Sequence, residues 1–406
     1  MEADVPGLFA SPGHPPSGRA VCGRRGFLLA GLLGLAGCRS GPPDGPAPAS
    51  ATAARAEVEA LLEARSRAVL ERDAARFLAT VHPDEPGFRA RQEELFTALA
   101  RLPFDGWRES VEKIEGSLAT LRLAYRYRGF DTSDVVHTTY LEVGRADGRT
   151  LVTGDGGDRR DAPEIWADPD AEAVKGRSGL VVGTGPLKQV AAQLDRSVPA
   201  VSAVVGDGWA RRAVALLPGD ADRAEELAGG QSLDGIVAVA TVTRNADGSP
   251  GQARILISPE SWPKLSPLGR RVVLTHELTH VAMESAGDAR TPLWLVEGFA
   301  DHVAYLDAGT PPASAARELA AEVRKGRLPS GLPSREDFAT GSPRLSQAYQ
   351  EAWLACRMIA ERYGGDRLLR LYREAGTGTE REALREVLGV SDLTGTWREY
   401  LRTQLG

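Results

Sequence analysis

Residues 272–284 read VVLTHELTHVAME. Two of the chain's six histidines, His276 and His280, stand four apart around Glu277, inside a run otherwise suited to a buried helix. Four residues advance an α-helix a little over one turn, so both imidazoles leave one face and can converge on a single ion, with Glu277 beside them. A buried ring needs partners: a metal satisfies one nitrogen of each, and a carbonyl or carboxylate takes the other. The H-E-x-x-H spacing therefore predicts a zinc site on a helix, with a glutamate placed to act as a base. Ser266 and Pro267 supply a capping hydroxyl and a first-turn proline, and Gly287 is the expected stop, for a helix of about 20 residues.

Zinc needs a further protein ligand, and the next helical stretch, TPLWLVEGFADHVAYLDAG from Thr291-Pro292 to Gly309, offers Glu297 and Asp301 on one face. The pattern HELTH, then WLVEGFAD with sixteen residues between His280 and Glu297, resembles the gluzincin metallopeptidases of the peptidase MA clan, including their E-x-x-x-D variant. That resemblance covers roughly residues 178–406, and its motifs lie within 255–305. It implies Glu297 as the third zinc ligand and Asp301 as an outer acceptor orienting a zinc histidine, His276 by preference. The competing metzincin pattern requires a third histidine soon after the motif, and HVAMESAGDAR has none. His302 faces away from the Glu297 side by helical geometry and reads as a bystander.

Two neutral imidazoles and one carboxylate would leave zinc a residual positive charge and a position for water, with Glu277 as the general base of peptide hydrolysis. The family resemblance further implies a tyrosine or histidine donor for the oxyanion. Tyr349, in RLSQAYQEAWLACRMIAERYGG, is the candidate, with Tyr305 behind it. It also implies an exposed strand edge, assigned here to RILIS, residues 254–258, onto which a substrate peptide could add.

Around this centre, 406 residues with 42% hydrophobic content suggest two domains. The net charge of -6 offers no attraction to nucleic acid or anionic lipid, and arginine outnumbers lysine 44 to 5, a matter of codons. At the N-terminus, CGRRGFLLAGLLGLAGC places Arg24 and Arg25 before an apolar run too short to span a bilayer. RRGFL resembles a twin-arginine signal, and LAGC resembles the lipobox of bacterial lipoproteins, which implies a signal peptide over 1–37 and lipidation at Cys38. Cys22 would leave with the signal, so Cys356, in the apolar pattern AWLACRMIA, is expected to be an unpaired core residue. A Pro/Gly/Ala/Ser-rich tether follows over 38–54.

Residues 55–162 then read as helices followed by antiparallel strands. A helix is expected from Ala56 to about Val81, another over FRARQEELFTALARL, and strands in LRLAYRYRGF, VVHTTYLEV and RTLVTGD. That order resembles an NTF2-like or cystatin-like α+β domain. His82 and His137, within it, read as ordinary hydrogen-bonded histidines. A linker is expected over 163–177, and a zincin-like domain of strands and active-site helices over 178–406. The expectation is an α+β, membrane-anchored lipoprotein on the outer face of the cytoplasmic membrane, hydrolysing peptide or protein substrates with zinc. A non-catalytic zinc-stabilised lipoprotein that binds a ligand or partner is the alternative, disfavoured because a structural zinc site has no use for Glu277.

Overall fold

A computed structural model describes residues 48–159, 161–244, 249–284 and 290–406. Cys38, the lipobox, the signal segment and Gly287 lie outside these residues. The chain is a mixed helix and sheet protein with two small sheets and many helices.

The first sheet is a four-stranded antiparallel meander with three helices packed against it. Helices α1 (Pro48–Glu71), α2 (Ala74–Leu78) and α3 (Pro86–Arg101) precede β1 (Phe104–Glu115), β2 (Leu118–Tyr127), β3 (Val135–Ala146) and β4 (Arg149–Gly154), paired in sequence order. The long helix expected from Ala56 is two: Arg72 takes φ 58°, and the Asp73 side chain accepts from Arg76 N at 3.0 Å to cap α2. A side chain that caps a new helix competes with continuing the old one. Inside this unit Arg65 is 2% exposed, with its guanidinium carbon 3.9 Å from the Phe77 ring centroid and its Nη2 donating to Gln92.

Strand β1 escaped the sequence reading because register breaks between Phe104 and Gly106 and between Val111 and Lys113 interrupt its alternation. Residues 163–177, expected to be a linker, are anchored at one point. Ile165 and Trp166 are buried, and Trp166 lies edge-on to Tyr125 with ring centroids 4.8 Å apart. Charge and turn residues concealed two side chains large enough to anchor the segment.

The second sheet runs β5 (Glu172–Lys175), β6 (Gly179–Gly183), β7 (Ala213–Leu217), β9 (Pro250–Ile257), β8 (Ala238–Arg244) in spatial order. Strands β6, β7 and β9 are parallel, with α4 (Leu187–Val205) crossing between the first two and α5 (Ala221–Leu227) after β7. Antiparallel β5 and β8 form the edges. Parallel strands are covered on both faces, which is why GLVVG is apolar throughout and buried at every position. Strand β9, which contains Arg254–Ile257 of RILIS, is interior, and the edge strand beside it is β8.

Helices α6 (Pro267–Met283) and α7 (Leu293–Tyr305) follow. After them come α8 (Pro312–Ala315), α9 (Arg317–Arg324), α10 (Leu345–Tyr363), α11 (Gly365–Ala375), α12 (Glu380–Ala383) and α13 (Thr394–Leu405). One apolar core joins α4, α6, α7, α10 and α13 to the inner sheet face. Cys356 is a buried free thiol within it, as its apolar setting implied. Helices α7 and α10 meet at Gly298, where a Cβ would stand 2.3 Å from the Ala352 carbonyl oxygen and 2.9 Å from Cys356 Sγ. Glu297 is the neighbouring residue, so this contact sets its height along the helix pair. Gly298→Ala should therefore lower unfolding stability by about 1–3 kcal/mol through overpacking, read as a lower urea midpoint at unchanged slope, and should weaken metal retention in the same samples.

Candidate metal centre

Helix α6 begins where its sequence says it should: the Ser266 hydroxyl accepts from Gly269 N at 3.0 Å and Pro267 occupies the first turn. It closes at Met283, with Glu284 as a left-handed cap at φ 55°, so it has 17 residues. Midway along, Thr275 Oγ1 lies 2.9 Å from Ser197 Oγ of α4, fixing the rotation of the helix against the sheet's cover. That rotation turns His276 and His280 inward, 1% and 8% exposed, with ring centroids 4.6 Å apart.

Helix α7 brings its carboxylate to the same point. Glu297 Oε2 is 3.2 Å from His276 Nε2 and 3.5 Å from His280 Nε2, and the two Nε2 atoms are 3.0 Å apart. Ligands at tetrahedral zinc distances of about 2.0–2.1 Å stand about 3.3 Å from one another, so the three atoms already span the edges of one face of such a site. Among the described residues this is the group of His, Cys, Asp and Glu side chains that could hold a metal ion. Asp301, one turn further along α7, bonds His276 Nδ1 through Oδ1 at 2.8 Å. A hydrogen bond on Nδ1 orients the ring and leaves Nε2 facing the other two donor atoms.

Electrostatics make the same demand. Glu277, Glu297 and Asp301 are each under 5% exposed, alongside the two histidines. Burial pushes the Glu277 and Asp301 carboxyls upward, against the pull of the neighbouring histidines. Burial acts the same way on Glu297, but the two histidines overcome it and hold its carboxyl well below the usual range. Burial would depress His276, yet Asp301 and Glu297 outweigh it and carry the ring up to about 10. Three sequestered carboxylates facing two imidazoles form a site that a divalent cation neutralises.

Glu277, 4% exposed, is not one of the three clustered donors. Its Oε2 accepts the backbone N–H of Ala240, on edge strand β8, at 2.6 Å. This link between the helix and the sheet edge was invisible in sequence, since a backbone donor carries no residue signature. Tyr349 enters from α10, 3% exposed, its ring centroid 6.4 Å from that of His276 and edge-on to Phe338 at 5.2 Å. Tyr305 instead packs on Trp353, centroids 4.6 Å apart, and burial together with Asp301 pushes its phenol up. His302 is buried on the other side of α7, where burial and Arg357 bring it down to about 4. His137 lies 3.0 Å from Glu164 Oε1 and is likewise lowered to about 4 by burial, while His82 Nδ1 accepts from Asp84 N. Neither belongs to the metal-capable group.

No family model matches the chain, and no curated protein does. Among solved structures, it is similar to a mutant M1 zinc metallopeptidase from Deinococcus radiodurans at 15% identity and a TM-score of 0.33, covering 65% of this chain and 59% of that one. The same protein bound to a Tyr-Ser-Ala substrate gives 15% identity and a TM-score of 0.32, with 71% and 61% covered. The chain thus spans about 59% of the length of the first of these.

Asp301→Asn keeps the shape of the His276 contact and removes its charge. Competition against a chromophoric chelator should show zinc affinity reduced about 10- to 100-fold, with the fold's melting curve otherwise retained.

Proposed function

We propose that this chain is a zinc-dependent peptidase, exported and held at the outer face of the cytoplasmic membrane by lipid on Cys38. The observation that carries the catalytic part is the meeting of His276, His280 and Glu297 within ligand-to-ligand distances, with Glu277 adjoining on the same helix. Two nitrogens and one oxygen suit zinc and leave room for a reactant, as a catalytic rather than a structural site requires. When bound there, zinc supplies Lewis-acid polarisation of the scissile carbonyl and makes water acidic enough to react near neutrality.

The chain's own groups do the rest. Glu277, tuned upward by burial and oriented by the Ala240 N–H, takes one proton from the attacking water as the new C–O bond forms. It passes that proton to the amine nitrogen as the C–N bond breaks, so acid and base are one side chain acting in turn. Tyr349, whose ring centroid lies 6.4 Å from that of His276, is the residue we assign to donate a phenolic hydrogen to the oxyanion. Edge strand β8 offers backbone groups beside Glu277 for an extended substrate, the role first assigned to RILIS. None of the described helices is long and apolar enough to cross a membrane. The N-terminal unit, three helices on a four-stranded meander, has the element order of an NTF2-like domain, and that kinship is part of the proposal.

Protein purified without chelator should carry one zinc per chain by elemental analysis; substoichiometric zinc after reloading would remove the reading. Glu277→Gln should keep the zinc and lose cleavage of a mixed peptide pool by about 10²–10⁴-fold. Tyr349→Phe should lower kcat by about 10²-fold or more with little change in KM. In a bacterial host, Cys38→Ala should shift the protein from the membrane fraction to the soluble exported fraction.

A further inference from the structure

The segment 325–344 joins α9 to α10 and carries a short helical turn, Arg335–Phe338. Phe338, its last residue, is 2% exposed and stands edge-on to Tyr349, the ring that also lies 6.4 Å from that of His276. The residue before it, Asp337, has other partners. Its Oδ2 accepts from Ser334 N and Ser334 Oγ, both at 2.8 Å, which closes the turn, and its Oδ1 accepts from Arg344 Nε at 3.2 Å. Two helical turns further on, the same guanidinium meets α10: Arg344 Nη2 donates to Glu351 Oε1 at 2.9 Å and to Oε2 at 3.2 Å. One arginine therefore ties the turn to the helix through a carboxylate on each.

The tie is unequal. Glu351 is 1% exposed, whereas the Arg344 side chain is 49% exposed. An ion pair wholly at the surface would contribute little, but a sequestered carboxylate depends on its partner. Burial pushes the Glu351 carboxyl up to about 7; Arg344 opposes that rise and Asp337 adds to it. Helix α10 is held by the apolar core in any case, through Trp353, Leu354, Met358 and Ile359. The effect of the tie therefore falls on the turn. Edge-on aromatic pairs have a preferred geometry, so the place of Phe338 restricts how the Tyr349 ring can turn.

We propose that Arg344 is a positioning residue of the metal centre: by fastening Asp337 to α10 it seats Phe338 against Tyr349 and so holds the phenol at its place beside His276. The proposal rests on the peptidase reading above, with Tyr349 as the oxyanion donor, and adds a residue that acts through that tyrosine.

The test has a spectroscopic and a kinetic arm. Protein labelled with fluorotyrosine is read by fluorine NMR, the Tyr349 resonance being identified by its loss in Tyr349→Phe. Zinc should shift that resonance in the wild-type protein; Arg344→Gln should diminish the shift and Arg344→Lys should restore most of it. In turnover, Arg344→Gln should lower kcat by about 10- to 100-fold with little change in KM. In the Tyr349→Phe background the same substitution should cost less than about twofold, because its route is already cut. Should Arg344→Gln fail to fold, Glu351→Gln breaks the tie from its other side and is read in the same two ways. Equal losses in the two backgrounds, or a resonance that Arg344→Gln leaves unmoved, overturn the proposal. Full activity of Tyr349→Phe also overturns it, while leaving the peptidase reading in place. Failure of zinc-loaded wild-type protein to cleave any peptide overturns the peptidase reading instead, and the resonance, which needs no turnover, then decides the positioning by itself.

Discussion

Five ionisable side chains sealed within one small volume are the constraint on which the rest of the structure depends. Glu277, Glu297, Asp301, His276 and His280 come from two successive helices and are almost wholly removed from water. Uncompensated, such a set costs far more than any surface ion pair returns. The surrounding architecture serves to hold it: the Ser197–Thr275 contact sets the roll of α6, the missing side chain at Gly298 lets α7 and α10 approach, and the hydrogen bond to Asp301 aims His276. Each acts at a distance of a few ångströms, and together they gather three donor atoms to a spacing suited to one cation.

Much of that centre was legible because helical periodicity is local. The four-residue intervals between His276 and His280 and between Glu297 and Asp301 fix which side chains share a face. The pairing of Asp301 with His276 was implied by the family resemblance rather than by periodicity, and the two side chains stand 2.8 Å apart. Partners joined through the backbone or across distant segments were not legible. The N–H of Ala240 bears no signature of its strand, and strand order alone reveals that β8, not β9, is the free edge. Local chemistry also misled where it was irregular: bulges erased the alternation of β1, and Asp73 split a helix whose apolar spacing continues through the break.

The N-terminal unit is where sequence was least informative about purpose. Composition offered a separate domain with a loose connection. The structure instead has a turn of that unit bonded to β9 through Arg254 and Asp131, lining one cavity with His280 of α6. Asp131 and Arg254 are 123 residues apart, and nothing in either segment marks the other as its partner.

The packed segment around Ile165 and Trp166 has a further consequence. These residues share one apolar cluster with Phe104 and Tyr127 of the first sheet and with Leu180, Val182 and Val214 of the second. A C-terminal half excised near residue 178 would carry a raw aliphatic face where those aromatic rings had been, and contiguous exposed apolar surface of that kind drives self-association. The two sheets should be inherited, and melt, as one cooperative body rather than as exchangeable modules.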